Sequence, residues 1–150
     1  MKMSLLSSVL REYIQDRSAV KVLATLDGND APYAVVSPFL QLDEQGHLVH
    51  LELLEKSVTN RNLLRSLWFD GKISVSVGSY VIKGSPVKAH ISGPVFRRYY
   101  EQVRCVLDDA DLSCVWLIEP EEVVDETYAT RKQQEEEQFP FSVHLDRLTN

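Results

Sequence analysis

The sequence lacks several features that would assign a function class directly. No apolar run approaches the ~20 residues that cross a membrane, and the motifs G-x-S-x-G, G-x-x-x-x-G-K-[ST] and H-E-x-x-H are all absent. The two cysteines, Cys105 and Cys114, have neither C-x-x-C spacing nor a neighbouring histidine. These absences argue against a membrane span, a hydrolase elbow, a P-loop and a zinc site. Both thiols are expected to be packing residues in a reducing cytoplasm.

Positive charge is also scarce. The chain has 16 lysines and arginines against 22 aspartates and glutamates, giving a net charge of −6. Broad binding to nucleic acid or to anionic membranes needs a basic surface, so we expect neither partner. An anionic ligand would have to be held by a local cationic site. With 150 residues, 44% of them hydrophobic, the chain is expected to form a single domain over residues 1–150.

Hydrophobic periodicity predicts a mainly β protein with flanking helices. The N-terminal stretch from Met3 to Gln15 is typical of an amphipathic helix rather than a secretory signal. The order β-β-β-α-β-β-α-β, with short hairpins, predicts a closed antiparallel barrel of about six strands. The predicted strands are 19–26, 32–42, 47–54, 72–77, 87–95 and 113–118.

The stretch from Leu48 to Trp68 is the most informative in the chain. A buried strand ends near Leu54, and Ser57, Thr59 and Asn60 then provide side chains that cap a helix. Between Lys56 and Arg65 every charged side chain is cationic. Because a helix N-terminus carries free N–H groups and partial positive charge, this turn is a candidate phosphate site. An ordinary capped helix with solvated basic residues explains the same pattern.

The histidines and tryptophans invite simpler interpretations. His47 and His50 point to opposite faces of a strand, which disfavours a shared metal, whereas His50 and Glu52 share a face and predict a hydrogen-bonded pair. Trp68 and Trp116 lie at apolar positions and are expected in the core.

The segment from Lys21 to Val77 resembles the pyridoxamine 5′-phosphate oxidase-like, FMN-binding split-barrel family. The resemblance is carried by the first hairpin, L-A-T-L-D-G…P, and by the short helix with N-L-L before S-V-S-V. It continues through VKAHISGPV to the I-E-P of Ile118–Pro120. The resemblance implies a six-stranded antiparallel split β-barrel with peripheral helices, which forms a cytoplasmic homodimer and holds FMN between its subunits.

The same resemblance implies site residues. The family grips the FMN phosphate at the strand-to-helix turn, where Ser57 matches the family's hydroxyl. The family's Arg-Lys pair falls on Val58-Thr59 and is absent, although Lys56 and Arg61 flank the gap. The second strand would run along the flavin ring. The implied cofactor-binding residues are Val35, Val36, Ser37, Lys56, Ser57, Thr59, Asn60, Arg61 and Asn62.

The resemblance implies a small flavin-dependent oxidoreductase acting on a small molecule that the sequence does not identify. The family's second-strand arginine has no counterpart in YAVVSP, so vitamin B6 oxidation is not expected. Alternatives on the same fold are a non-catalytic flavin- or haem-binding or sensing protein, with His144 as a candidate iron ligand, and an interaction module without cofactor.

Overall fold

The computed structural model describes residues 5–140 and consists of one antiparallel sheet flanked by helices. No helix in this range is long and apolar enough to cross a membrane. The strands are β1 Lys21–Leu26, β2 Pro32–Val36, β3 Gln41–Leu42, β4 Leu48–Glu52, β5 Ile73–Val77, β6 Tyr80–His90 and β7 Cys114–Asp125. The helices are α1 Ser8–Gln15, α2 Val58–Trp68, α3 Gly93–Val106 and α4 Tyr128–Gln138.

The sheet is strongly curled. Its strand order is β2-β1-β5-β6-β7-β4-β3, so the two edge strands, β2 and β3, are consecutive in the chain. Five Cα–Cα steps from Val36 to Gln41 span at most about 18 Å, whereas a flat sheet of seven strands would separate its edges by about 29 Å. The predicted mainly β, antiparallel barrel with peripheral helices is thus confirmed, but its hydrogen-bonded ladder is open between β2 and β3 rather than closed.

The sheet has seven strands instead of the predicted six because one predicted strand is divided at the open seam between β2 and β3. Residues 32–42 were predicted as one strand, but the chain leaves the ladder after Val36 and returns only at Gln41. Pro38 lies in this break and has no N–H to donate to a ladder. At the seam, the N–H of Ser37 donates to Lys21 O at 2.8 Å, and the buried Lys21 ammonium donates to Leu40 O at 3.1 Å.

Residues 78–86 were predicted to form a loop or an irregular hairpin, and the structure shows the hairpin of β5 and β6, with irregularities where β6 pairs with β7. These residues belong mostly to β6, which pairs with β5 and along its whole length with β7. Gly84 and Pro86 border the two places where the β6–β7 register shifts, and proline is tolerated in strands at such irregularities. A Cβ at position 84 would lie 2.3 Å from the carbonyl oxygen of Glu119, so this close approach requires glycine.

Strand β4 is buried along its whole length because both of its faces are covered. Leu48 belongs to the barrel core, while Val49 and Leu51 pack with α3 residues such as Val103 in a second cluster. The buried strand β4 therefore fixes the point from which the chain leads into α2.

Two packing expectations are corrected by the structure. Trp116 is buried, with 2% of its surface exposed, but Trp68 is 74% exposed at the end of α2. Both cysteines were expected to be packing residues. Cys114 is buried as expected, whereas Cys105 is exposed on α3.

Candidate functional site

A cavity of about 700 Å³ lies where β2, the end of β4 and the turn into α2 meet; we call it the β2–α2 cavity. Its volume is in the range of small-molecule and cofactor sites. Its lining residues are Tyr33, Val35, Val36, Pro38, Phe39, His50, Leu51, Glu52, Leu53, Leu54, Ser57, Thr59, Asp109, Ala110 and Asp111.

The cavity brings together four of the residues that the sequence proposed for one site. Val35 and Val36 come from β2, and Ser57 and Thr59 come from the start of α2. Lys56 is exposed immediately before the cap.

The other predicted site residues lie elsewhere. Ser37 and Asn60 are not among the residues that line the β2–α2 cavity. Arg61 and Asn62 face a separate cavity of about 590 Å³ on the opposite side of α2.

The turn into α2 is fixed by a small hydrogen-bond network. Ser57 is the N-cap, and its Oγ accepts from Asn60 N at 3.0 Å. The Asn60 amide donates to Glu55 O at 2.8 Å and accepts from Trp116 Nε1 at 2.8 Å. The predicted capping role of Ser57 is confirmed, and Asn60 ties the turn to β7.

Asn62 anchors the helix from its buried side. Its Nδ2 donates to Thr25 Oγ1 at 3.0 Å, which joins α2 to β1. Both side chains are buried, so this bond replaces water at two polar groups that would otherwise be unsatisfied.

A buried chain of polar side chains runs beneath the cavity. Ser37 Oγ lies 2.6 Å from His50 Nδ1, and His50 Nε2 lies 3.2 Å from Glu52 Oε1. The predicted His50–Glu52 pair is confirmed. The contact from Ser37 was missed because it depends on the break between β2 and β3, which brings residues of distant sequence together and leaves no local pattern.

Glu52 places a carboxylate next to the start of α2. Its Oε2 accepts from Leu54 N at 3.3 Å. Burial on its own raises the pKa of Glu52, but hydrogen bonds from His50, Leu54 N and the Ser57 hydroxyl, together with the charge of His50, lower it overall. Both ring nitrogens of His50 are therefore engaged, one with the Ser37 hydroxyl and the other with the Glu52 carboxylate.

The lining of the cavity, in the described part of the protein, contains three carboxylates, those of Glu52, Asp109 and Asp111, and no lysine or arginine. Asp111 accepts from the Tyr100 hydroxyl at 3.1 Å and lies 3.6 Å from Arg104. An anionic group in the cavity would meet neutral donors instead: the Thr59 hydroxyl and the first N–H groups of α2, which have no intrahelical acceptor.

Solved structures share this architecture. HupZ of Group A Streptococcus superimposes with a TM-score of 0.65 at 14% identity, covering 79% of this chain and 91% of HupZ. A provisionally assigned pyridoxamine 5′-phosphate oxidase from Lactobacillus delbrueckii gives a TM-score of 0.59 at 15% identity, covering 83% and 97%. The fold is that of the pyridoxamine 5′-phosphate oxidase-like split barrels. The sequence itself matches no protein-family model and no curated protein.

Another split barrel of this kind is an FMN-binding protein from Syntrophomonas wolfei, with a TM-score of 0.57 at 14% identity over 69% of this chain and 74% of that one. Identities this low establish the split-barrel fold alone. The chemistry of the site has to be argued from the residues of this chain.

Proposed function

We propose that this split barrel is a homodimeric FMN-binding protein that acts as a small flavin-dependent oxidoreductase. The observation that carries the proposal is the β2–α2 cavity, in which Val35 and Val36 face the same space as Ser57 and Thr59. The sequence had assigned the first pair of residues to the flavin ring of FMN and the second pair to its phosphate.

The cavity fits the ring system of a flavin. A planar tricyclic ring needs an apolar slot with some polar groups at its edge. Apolar side chains from β2 and from the end of β4 supply the slot, among them Tyr33, Val35 and Leu53. His50 and Glu52 supply polar atoms on one side of it. When bound, FMN would supply hydride transfer, and the protein would position the substrate.

The phosphate end relies on fewer charges than is usual. Thr59 would donate its hydroxyl and its N–H from the positive end of α2. Lys56 would add one cation from the exposed position beside the cap. The Ser57 Oγ already accepts from Asn60 N as the helix cap, so Ser57 would act mainly by holding the turn in place.

A second copy of the chain is supported by the rim of the cavity. Tyr33, Val36 and Leu54 are 40%, 59% and 68% exposed although all three line the cavity. Apolar side chains grouped around a ligand site are typical of a surface that another molecule covers. A homodimer would bury them and shield the ring from water.

A flavin-binding protein without turnover is the second candidate. It is favoured by the engagement of both His50 ring nitrogens within the fold, since neither nitrogen is left free for proton exchange with a ligand. Chemical reduction of the bound flavin, followed by measurement of its reoxidation rate, distinguishes an oxidoreductase from a flavin-binding protein without turnover. An oxidoreductase would be reoxidised faster by its substrate than by buffer, and a carrier would not. The haem alternative stays a prediction, because His144 lies outside the described residues.

The proposed phosphate end is tested by a double variant, Lys56→Ala with Thr59→Val. It removes one exposed cation and the hydroxyl of a buried residue that lines the cavity, while valine keeps the β-branched shape of threonine. We expect FMN affinity to fall at least about tenfold, because charge-assisted hydrogen bonds to the phosphate are lost. The measurement is quenching of flavin fluorescence on titration with protein.

Lys88→Ala is the control, since Lys88 is an exposed lysine on β6 that does not line the cavity. Sedimentation of the same samples should give twice the chain mass of 17.1 kDa. Equal FMN affinities for the wild type and the double variant would mean that the phosphate lies elsewhere.

A further inference from the structure

A second cavity lies on the opposite side of α2. It measures about 590 Å³ and is formed by the outer face of the helix and the turn between β1 and β2; we call it the outer α2 cavity. Its lining residues are Asp27, Gly28, Asn29, Val58, Arg61, Asn62, Leu64, Arg65, Trp68 and Phe69. It shares no lining residue with the β2–α2 cavity.

Two arginines give this cavity its charge. Arg61 and Arg65 are one helical turn apart, and both are exposed. No carboxylate of residues 5–140 forms an ion pair with either guanidinium. Adjacent like charges destabilise a helix. An anion held by both arginines would remove that repulsion and gain charge-assisted hydrogen bonds.

The β1–β2 turn holds one of these arginines in place. A Cβ at position 28 would lie 3.0 Å from a terminal nitrogen of Arg65, so the guanidinium rests against the Gly28 backbone. The carboxylate in this turn, Asp27, uses Oδ1 to accept from Asn29 N at 2.8 Å and from Ala31 N at 3.0 Å. These bonds hold the carboxylate in the turn, where it forms no ion pair with Arg65, although its charge remains in the lining of the cavity.

Large aromatic side chains complete the cavity. Trp68 and Phe69 are 74% and 75% exposed, in a protein whose other tryptophan is buried. Leu64, one turn earlier, is also largely exposed. An aromatic face beside a guanidinium suits a flat ring bearing an anionic group, because the ring stacks on the aromatic surface while the anion reaches the arginines.

We propose that the outer α2 cavity binds an aromatic phosphate such as a nucleoside monophosphate, separately from the flavin proposed for the β2–α2 cavity. The aromatic surface of Trp68 and Phe69 takes the base, and Arg61 and Arg65 take the phosphate. The site needs both parts of the ligand. Neither a phosphate ion nor a nucleoside alone fills it.

The test uses adenosine 5′-monophosphate as the probe, with adenosine and inorganic phosphate as its two halves. Binding is followed by calorimetry and by quenching of tryptophan fluorescence. We expect the monophosphate to bind at least about tenfold more tightly than either half. The Arg61→Ala/Arg65→Ala variant should weaken it at least about tenfold, and Trp68→Leu should remove most of the fluorescence change. Lys88→Ala is the control for loss of a surface cation.

Three outcomes would overturn the inference. Unchanged monophosphate affinity in the double arginine variant would place the ligand elsewhere, and displacement of the monophosphate by FMN would mean that one site takes both. Self-association through this surface without monophosphate binding would assign it to contact between copies of the chain. Failure of FMN to bind, with monophosphate binding intact, would contradict only the proposed flavin function.

Discussion

Replacing Trp116 with alanine is expected to lower the free energy of unfolding by about 3–5 kcal/mol, the usual cost of removing a large buried aromatic side chain. Trp116 is 2% exposed and belongs to the barrel core. Its Nε1 also donates to Asn60 Oδ1 at 2.8 Å. The substitution therefore opens a cavity in the core and releases the turn that begins α2. Equilibrium denaturation in urea measures the loss.

The chain provides a matched control for this prediction. Trp68→Ala removes the same side chain from a position that is 74% exposed, and surface substitutions usually change stability by less than about 0.5 kcal/mol. Trp116→Phe keeps most of the packing but leaves Asn60 Oδ1 without its donor, so its cost should fall between the two. Similar destabilisation by Trp68→Ala and Trp116→Ala would contradict the assignment of Trp116 to the core.

The second large effect is expected from Glu52→Leu. Glu52 accepts from His50 Nε2 and from Leu54 N in a buried setting. Removing the acceptor leaves His50 Nε2 and Leu54 N without a partner, and each unsatisfied buried donor typically costs about 1–3 kcal/mol. We expect a loss of this size in urea denaturation at neutral pH.

Glu52 also predicts a pH dependence of stability. Its pKa is lower in the folded protein than in the unfolded chain, where a glutamate titrates near about 4.3. The unfolded chain therefore binds the proton more readily in this range. The stability that Glu52 contributes is present above the unfolded pKa and is lost as the pH falls through the folded pKa.

Glu52→Gln isolates this effect because it keeps the side-chain volume and cannot ionise. The stability difference between the wild type and Glu52→Gln should be constant near neutral pH and shrink below about pH 4.3. A difference that stays constant down to the acid range would mean that the Glu52 carboxylate has the same pKa in both states.

Much of the fold was readable from local pattern. Ser57 caps α2 as predicted because a serine before an apolar periodic stretch satisfies backbone donors without help from the rest of the chain. The hairpin between β1 and β2 likewise follows from the residues of its own turn. For residues 78–86 the sequence left a loop and an irregular hairpin open, because glycine and proline usually mark loops; the structure shows the hairpin, in which Gly84 allows β6 to approach Glu119 closely.

In the candidate site, too, local contacts were predictable from the sequence and long-range contacts were not. The His50–Glu52 pair follows from alternation along one strand, and the sequence predicted it. The Ser37–His50 contact and the sidedness of α2 depend on how the sheet curls. Ser57 and Thr59 face one cavity while Arg61 faces another. Counting cations in the sequence grouped Arg61 with Ser57, and only the three-dimensional position of the helix separates them.

The central claim is that the β2–α2 cavity holds a flavin. The most direct test is the visible absorption spectrum of the purified wild-type protein after incubation with excess FMN and desalting. We predict a retained flavin spectrum with one flavin per chain. A protein that stays colourless after desalting, or one that carries a Soret band instead, would contradict the claim.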